Sequence, residues 1–237
     1  MAYTLSMKKI LLSSLITSFL FGCSSSVTNT SLETTIQHSG GQNMGDATSL
    51  YWFTERIATP VSAADYVVAG DYGWYKSNYR WEGGTVRELI REGKQLKNNT
   101  GLVDYSIHVR FNQDGEAVYQ QYRLDGKVLP MNSEMLEQVK SEALNVAEQT
   151  KKQNKAGSKL IQGYWDGNDF ETCSGQSFDA LEFNQTLPDF VVSRLADIDS
   201  YVAFVGAREG DTLVVEQLLM LTNDDQSCVA RPQLLQE

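Results

Sequence analysis

Alternating apolar and polar positions predict an antiparallel sheet in the middle of the chain. Every second residue of DYSIHVRF is apolar, which gives this segment one buried and one solvated face: Tyr105, Ile107, Val109 and Phe111. The preceding stretches LYWFTER and ADYVVAGDYGWYKSNYRW are rich in aromatic and β-branched residues. TVRELIREG is the next strand, although its charges fall on both parities, and AVYQQYRL returns after the NQDG turn. We therefore expect an antiparallel meander that begins near Leu50.

A spacing of three and four residues replaces the alternation after the meander and predicts one long helix. Its apolar positions form a single stripe: Met135, Leu136, Val139, Ala143, Val146 and Ala147. Asn132 or Ser133 can cap its start, and lysines gather near its end before Gly157, as the helix dipole favours. An uncovered sheet of this size would leave its apolar face in water, so we expect the helix to pack on the meander.

The last third of the chain returns to strand patterns, in KLIQGYW, DFETC, SFDALEFN, SYVAFVGA and TLVVEQLLML. Between the third and fourth of these segments, residues 187–195 are predicted to form a short helix, with Pro188 in its first turn. Five short strands with a helix at this place follow the order of an OB-type barrel. The predicted fold class is therefore α+β and mostly β. A helix-covered meander over residues 50–157 precedes a small OB-like five-stranded barrel over residues 158–237.

The beginning of the chain has the layout of a secretory signal peptide. Lys8 and Lys9 precede an uncharged, mostly apolar run that ends at Phe21. The run is too short for a membrane-spanning helix, which needs roughly 20 apolar residues. Met7, directly before the lysines, is the more natural start of translation. We expect residues 1–22 to be a signal that is removed.

The motif LFGC resembles the bacterial lipobox, in which a small residue precedes the cysteine that becomes the first residue of the mature protein. The resemblance implies a diacylglyceryl thioether on Cys23, whose acyl chains would give stable anchoring at ~0.8 kcal/mol per buried CH₂. An aspartate after the lipidated cysteine usually retains Gram-negative lipoproteins in the inner membrane. Ser24 stands there, which favours the periplasmic face of the outer membrane. In the alternative, Cys23 is only a small residue ending the apolar run.

Residues 23–49 are predicted to be a flexible tether between the lipid and the folded part. The segment is rich in Ser, Thr, Gln, Asn and Gly, and its few apolar residues show no useful period. His38 lies inside this segment and is interpreted as a solvated linker residue.

Charge and cysteine content narrow the range of partners. The net charge is −10, and removal of Lys8 and Lys9 with the signal changes it to −10 − 2 = −12. This acidic balance works against nucleic acid or anionic lipid as a partner.

With Cys23 lipidated, Cys173 and Cys228 remain as a pair in a compartment where disulfides persist, and we predict that they are bonded. Metal ligation by two thiols is the weaker alternative, because neither cysteine has a nearby histidine or a CxxC partner.

A family resemblance is carried by stretches distributed over most of the chain: LYWFTER, ADYV, GDYGWY, YRW, VREL, HVRF, YRLDGKV, IQGYWDG, FETCSG, EFNQTLP and YVAFVG. Together they resemble the YjaH-like family of uncharacterised gammaproteobacterial lipoproteins, over the region from Tyr51 to Pro232. That family is a domain of unknown function. The resemblance implies an envelope location and a shared fold, and it offers no active site to transfer.

No catalytic constellation or cofactor motif stands out. A nucleophilic triad would have to use His108, which is expected to be a structural residue on the polar face of its strand. Asp166, Asp169 and Glu171 lie close together in WDGNDFE and could serve glycosidic chemistry, but the run is also an ordinary acidic turn. It lacks the spacing of a calcium loop. We expect no metal, no cofactor and no enzymatic activity.

Aromatic residues crowd the first strands, and tyrosine and tryptophan often anchor interfaces or stack on sugars. The core of a β-domain is the competing explanation. However, both parities of GDYGWYKSNYRW are aromatic, so some rings should lie outside the core. The candidate binding aromatics are Trp52, Tyr72, Trp74, Tyr75, Tyr79 and Trp81.

Three functional hypotheses follow. The first is a non-enzymatic lipoprotein that binds an envelope protein or glycan. The second is an envelope stress or redox sensor, or an accessory subunit, that uses the predicted disulfide or the barrel surface. The third is a glycan or peptidoglycan hydrolase that uses the acidic cluster, and it requires two carboxyls facing each other about 5 to 10 Å apart.

Overall fold

The computed structural model describes residues 35–235, which are mostly β and belong to one compact unit. Its first sheet has eight strands in sequence order, and every neighbouring pair is antiparallel. These strands are β1 (Thr35–Met44), β2 (Ala47–Arg56), β3 (Thr59–Val68), β4 (Gly73–Glu82), β5 (Thr85–Lys97), β6 (Gly101–Phe111), β7 (Ala117–Leu124) and β8 (Lys127–Leu129). The predicted antiparallel meander is confirmed.

One long helix, α1 (Ser133–Lys155), covers one face of this sheet, as the sequence predicts. Asn132 caps it, because its side-chain Oδ1 accepts a hydrogen bond of 2.9 Å from the backbone N–H of Met135. The buried helix residues include four positions of the predicted stripe, namely Val139, Ala143, Val146 and Ala147. They pack against Tyr51, Phe53, Tyr79, Leu89 and Val109 of the sheet.

The flexible tether predicted over residues 23–49 is wrong from residue 35 onward, where the chain forms β1 and the start of β2. Two side-chain amides at the end of α1 hold β1 in place. Gly41 donates its N–H to Gln153 Oε1 over 3.1 Å, and Gln153 Nε2 donates back to the Gly41 carbonyl over 2.6 Å. Asn154 Nδ2 donates to the Ser39 carbonyl over 2.6 Å. A Cβ on Gly40 would overlap Gln153 Oε1, so glycine permits this close approach.

His38 is not a solvated linker residue. Its side chain is 16 % exposed, and Nε2 lies 3.0 Å from Glu55 Oε1 while Nδ1 lies 3.2 Å from Asn154 Oδ1. The ring stacks on Phe53 at a centroid distance of 6.0 Å. These contacts help to fasten β1 to both β2 and α1.

The second sheet contains six strands, not the predicted five-stranded OB barrel. They run in the order β11-β10-β9-β13-β14-β12. Their bounds are β9 (Lys159–Trp165), β10 (Phe170–Thr172), β11 (Ser177–Phe178), β12 (Ala180–Phe183), β13 (Ser200–Glu209) and β14 (Thr212–Asn223). The stretch predicted as one strand, SFDALEFN, divides at Asp179 into β11 and β12, which become opposite edges of the sheet. β12 pairs with β14 in parallel. The predicted short helix is present as α2 (Asp189–Asp197).

The two sheets meet through an apolar cluster, and the C-terminal segment fastens them together. Leu50 from the first sheet packs with Tyr201 and Leu219 from the second. Cys173 and Cys228 form the predicted disulfide. Beyond it, residues 229–235 form what we call the C-terminal strap, and Gln162 of β9 holds its first residue. The chain enters the second sheet after α1, where the predicted boundary lies, and a division into two domains stays a prediction.

Further along the strap, hydrogen bonds reach the first sheet. Asn78 Nδ2 donates to the Pro232 carbonyl over 2.9 Å, and the Leu234 N–H donates to Asn78 Oδ1 over 2.7 Å. Arg231 donates to the hydroxyls of Thr54 and Ser62 over 2.7 and 2.9 Å.

The predicted signal and Cys23 lie outside the described residues. Within 35–235, no helix has the length and apolar character needed to cross a membrane.

Candidate functional site

A row of mostly polar side chains crosses the first sheet beneath α1, where an apolar core would be expected. Its members are paired directly from strand to strand, and they are Tyr51, Asp65, Ser77, Arg91, Ile107 and Tyr122. Because side chains of directly paired residues point to the same face of a sheet, this row places one arginine and one aspartate inside the helix-covered core. Arg91 is 5 % exposed and Asp65 is 2 % exposed.

Arg91 organises the polar groups around it. Its Nε donates to Ser77 Oγ over 2.9 Å, and its Nη2 donates to the Tyr79 hydroxyl over 3.0 Å and to Glu142 Oε2 of α1 over 2.6 Å. The guanidinium lies 3.9 Å from the centre of the Tyr75 ring. The hydrogen bonds of Arg91 to described residues use Nε and Nη2, and Nη1 is not one of the enclosed polar atoms that lack a partner. Nη1 is therefore open to solvent and can donate to a group that enters the space beside it.

Asp65 completes this network through Tyr79, whose hydroxyl donates to Asp65 Oδ2 over 2.8 Å. The other oxygen, Oδ1, is buried and accepts no hydrogen bond from the described residues. Burial raises the pKa of Asp65, against the attraction of Arg91. The positive charge of Arg91 is thus the one that attracts two carboxyl groups in this network, those of Asp65 and Glu142. The net charge of this group is zero when Asp65 holds its proton and −1 when it does not.

A cavity of about 280 Å³ opens between the first half of α1 and the sheet, next to Arg91. Its polar lining comes from Arg91, Gln95, Gln138 and Glu142, and its flat walls come from Tyr75, Tyr105 and Tyr122. Burial raises the pKa of Tyr75 and Tyr105, so both stay neutral phenols. We call this the tyrosine cavity. It combines aromatic surfaces with a few convergent polar groups, which is the usual make-up of a small-ligand site.

The structure separates the six candidate binding aromatics. Tyr79 and Trp81 are enclosed in the core, so their rings are not available to a ligand. Trp52 is half-buried between the two sheets. Tyr72 is 65 % exposed in a turn. Trp74 lines a shallow depression together with Glu92, Ser106 and Arg123, which lie on the face of the sheet opposite α1. Only one candidate, Tyr75, lines the tyrosine cavity.

Sequence reasoning did not select six polar or aromatic residues of the cavity, namely Arg91, Gln95, Tyr105, Tyr122, Gln138 and Glu142. One signal was present: the charges of TVRELIREG occupy both parities, so one of them had to face the core. The helix glutamate that meets it lies 51 residues away in the chain. No local pattern connects the two positions.

The other candidate groups have local structural roles. Asp166 Oδ1 accepts backbone hydrogen bonds from Asn168 and Asp169 over 2.9 and 2.8 Å, which lower the pKa of Asp166. This carboxylate therefore stabilises its own turn.

His108 Nε2 lies 2.8 Å from Glu88 Oε1 on the face of the sheet opposite α1. Burial opposes ionisation of Glu88, but bonds from Arg110, His108 and Arg80 lower the pKa of Glu88 to about 2.

The fold and the site define a mostly β protein whose helix-covered sheet encloses a tyrosine-lined polar cavity. The chain belongs to the DUF1481 family, described as a protein of unknown function, whose family model matches residues 39–233. No curated protein and no solved structure matches the chain.

Proposed function

We propose that this protein is a non-enzymatic binding protein of the bacterial envelope that holds one neutral saccharide unit of an envelope glycan in the tyrosine cavity. The observation that carries the proposal is Arg91, a buried cation with a free Nη1 beside three tyrosine walls. The volume of 280 Å³ is near the lower end of the range for ligand pockets, about 300 to 1,000 Å³. A single ring fits such a space better than a long segment.

The polar groups favour a saccharide because its hydroxyls both donate and accept hydrogen bonds. Arg91 Nη1 offers donors, the carboxylate of Glu142 offers an acceptor, and the amides of Gln95 and Gln138 offer both. The apolar C–H face of a sugar ring can rest on a tyrosine face. Each kind of surface on a sugar ring therefore has a counterpart in the lining.

Charge argues against the other small ligands that would suit an arginine. A carboxylate or phosphate would meet Arg91, but Glu142 already pairs with this guanidinium over 2.6 Å and would repel the anion. A cationic ligand would be repelled by the positive charge of Arg91. Since the buried group of charges sums to zero or −1, a neutral polar ligand has the smallest desolvation and repulsion cost.

The envelope location rests on the sequence and on the disulfide. We propose that residues 1–22 are removed, that Cys23 is lipidated and that the protein faces the periplasm from the outer membrane, as in the YjaH-like lipoproteins it resembles. The Cys173–Cys228 bond is consistent with an oxidising compartment. Because β1 begins at residue 35, the tether in this proposal spans residues 23–34 only.

A second candidate function is redox sensing, and one observation favours it. Cys173 is exposed, while Cys228 is half-buried at the start of the C-terminal strap. A reductant could therefore reach the bond from the Cys173 side and release the strap.

Titration calorimetry on the full-length protein in detergent tests the binding proposal. The probes are the N-acetylglucosamine trimer and maltotriose, with glucuronate as an anionic comparison. We expect a neutral probe to bind with a Kd of ~1 mM or lower, and Tyr122→Ala to weaken that binding about tenfold. Tyr119→Ala is the matched control, because Tyr119 lies on the opposite face of β7. Absence of binding by both neutral probes, or equal losses in the two variants, would contradict the proposal.

Cell fractionation tests the anchoring proposal. The wild-type protein should be found in the outer-membrane fraction with a cysteine-linked diacylglyceryl group, because acyl chains on Cys23 hold it there. Cys23→Ser should remove the lipid mass and shift the protein out of that fraction. An unmodified Cys23 in the membrane fraction of wild-type cells would show that another feature retains the protein.

A further inference from the structure

An apolar groove lies beside α2 on the second sheet, away from the tyrosine cavity. Its volume is about 270 Å³, and its lining includes Trp165, Leu181, Phe183, Leu187, Val192 and Leu195. We call it the α2 groove. A groove lined by large apolar side chains is unfavourable in water unless something covers it for part of the time.

One of the exposed apolar side chains of α2 belongs to the groove itself. Val192 is 51 % exposed and lines the groove beside Leu195. Phe190, which is 75 % exposed, lies about 160° around the helix from Val192 and is not part of the lining. The groove therefore reaches solvent at Val192, and an apolar groove that is open to solvent marks an interaction site.

The charge around the groove is almost entirely negative. Residues 160–207 contain eight aspartates and glutamates but only one lysine or arginine, Arg194, which donates to Asn223 Oδ1 over 2.7 Å. Three of the acids adjoin the groove or the ends of α2, namely Asp166, Asp189 and Asp197, whereas Glu182 points to the other face of β12 from Leu181 and Phe183. A partner that covers the groove must therefore tolerate or neutralise several carboxylates.

We infer that the α2 groove docks a basic amphipathic helix of a partner protein. The apolar face of that helix would fill the groove against Val192 and Leu195, and its lysines and arginines would face the surrounding carboxylates. An anionic lipid surface would be repelled by the same carboxylates. A second copy of this chain, with a net charge of −10, is disfavoured for the same reason.

Fluorescence anisotropy with the full-length protein tests this inference. The probe is a labelled amphipathic peptide of about 14 residues, made only of leucine and lysine, with a glutamate-for-lysine peptide as its charge-reversed control. We expect the basic peptide to bind and the acidic peptide not to bind. Added salt should weaken the basic complex, since the carboxylates contribute through long-range attraction.

Val192→Ser should weaken binding of the basic peptide by about tenfold, because an apolar contact with the groove is lost. Val118→Ser is the matched control, since Val118 is also an exposed valine, at 66 %, but lies on β7 of the first sheet. The inference is overturned if both peptides bind equally, if the two variants behave alike, or if Val192→Ser instead abolishes self-association or binding to phosphatidylglycerol vesicles.

Discussion

Replacing Arg91 by methionine is expected to lower the free energy of unfolding by about 3 to 5 kcal/mol, which is the usual cost of removing one partner of a buried ion pair. Methionine fills much of the same space, but the hydroxyls of Ser77 and Tyr79 and the carboxylate of Glu142 lose their donor. Urea denaturation followed by circular dichroism would measure the change.

The deficit of the Arg91→Met variant should also depend on pH. Burial already raises the pKa of Asp65, and removal of the neighbouring cation raises it further. The native state then binds a proton more tightly than the unfolded chain, so stability falls as pH rises above about 4. The loss should therefore be larger at pH 7 than at pH 4.

Arg87→Met is the control on the same strand. The nearest contact of Arg87 with an acid is 3.9 Å, from its Nε to Glu82 Oε2, whose side chain is 70 % exposed. Loss of such a pair costs about 1 kcal/mol or less. Equal effects of the two substitutions would show that the buried charge network does not hold α1 on the sheet.

Replacing both Cys173 and Cys228 by serine is the second large expected effect. The bond joins positions 55 residues apart, and closing a loop of that length stabilises the fold by about 4 kcal/mol in the chain-entropy model. The free energy of unfolding, measured by urea denaturation, should fall by roughly that amount.

A local effect should accompany the loss of the disulfide. The bond holds the start of the C-terminal strap, so its removal leaves the strap attached only by hydrogen bonds and a few apolar contacts. The backbone N–H groups of Val229 and Leu234, which donate to Gln162 and Asn78, should then exchange with deuterium at least about tenfold faster, because opening of this segment no longer requires opening of the second sheet. Unchanged exchange of these two groups in the double serine variant would contradict this account of the strap.

Local signals explain which elements could be predicted from the sequence. The cap at Asn132 and the apolar stripe of α1 are contained within one segment, so both the start and the packing face of the helix were correct. The strands β2 to β5 were recognisable mainly from their aromatic and β-branched residues, and β6 from an alternation that buries Ile107, Val109 and Phe111. Their short turns also fix the order of neighbours in a meander.

Elements that depend on distant partners could not be predicted in this way. β1 is polar and glycine-containing, and its fastening comes from Gln153, which lies 112 residues further along the chain. The parallel pairing of β12 with β14 joins segments separated by α2 and β13. The tyrosine cavity could not be predicted for the same reason: it depends on a distant pair, because Arg91 contacts Glu142 only after α1 has packed on the sheet.

The central claim, that the tyrosine cavity holds a neutral saccharide unit, is tested most directly by nuclear magnetic resonance of the full-length protein with ring-labelled tyrosines. During titration with the N-acetylglucosamine trimer or maltotriose, the account predicts shifts for Tyr75, Tyr105 and Tyr122, which line the cavity. Tyr164 and Tyr201, which pack together in the second sheet, should not shift. Shifts confined to tyrosines outside the cavity, or no shifts with either sugar, would contradict it.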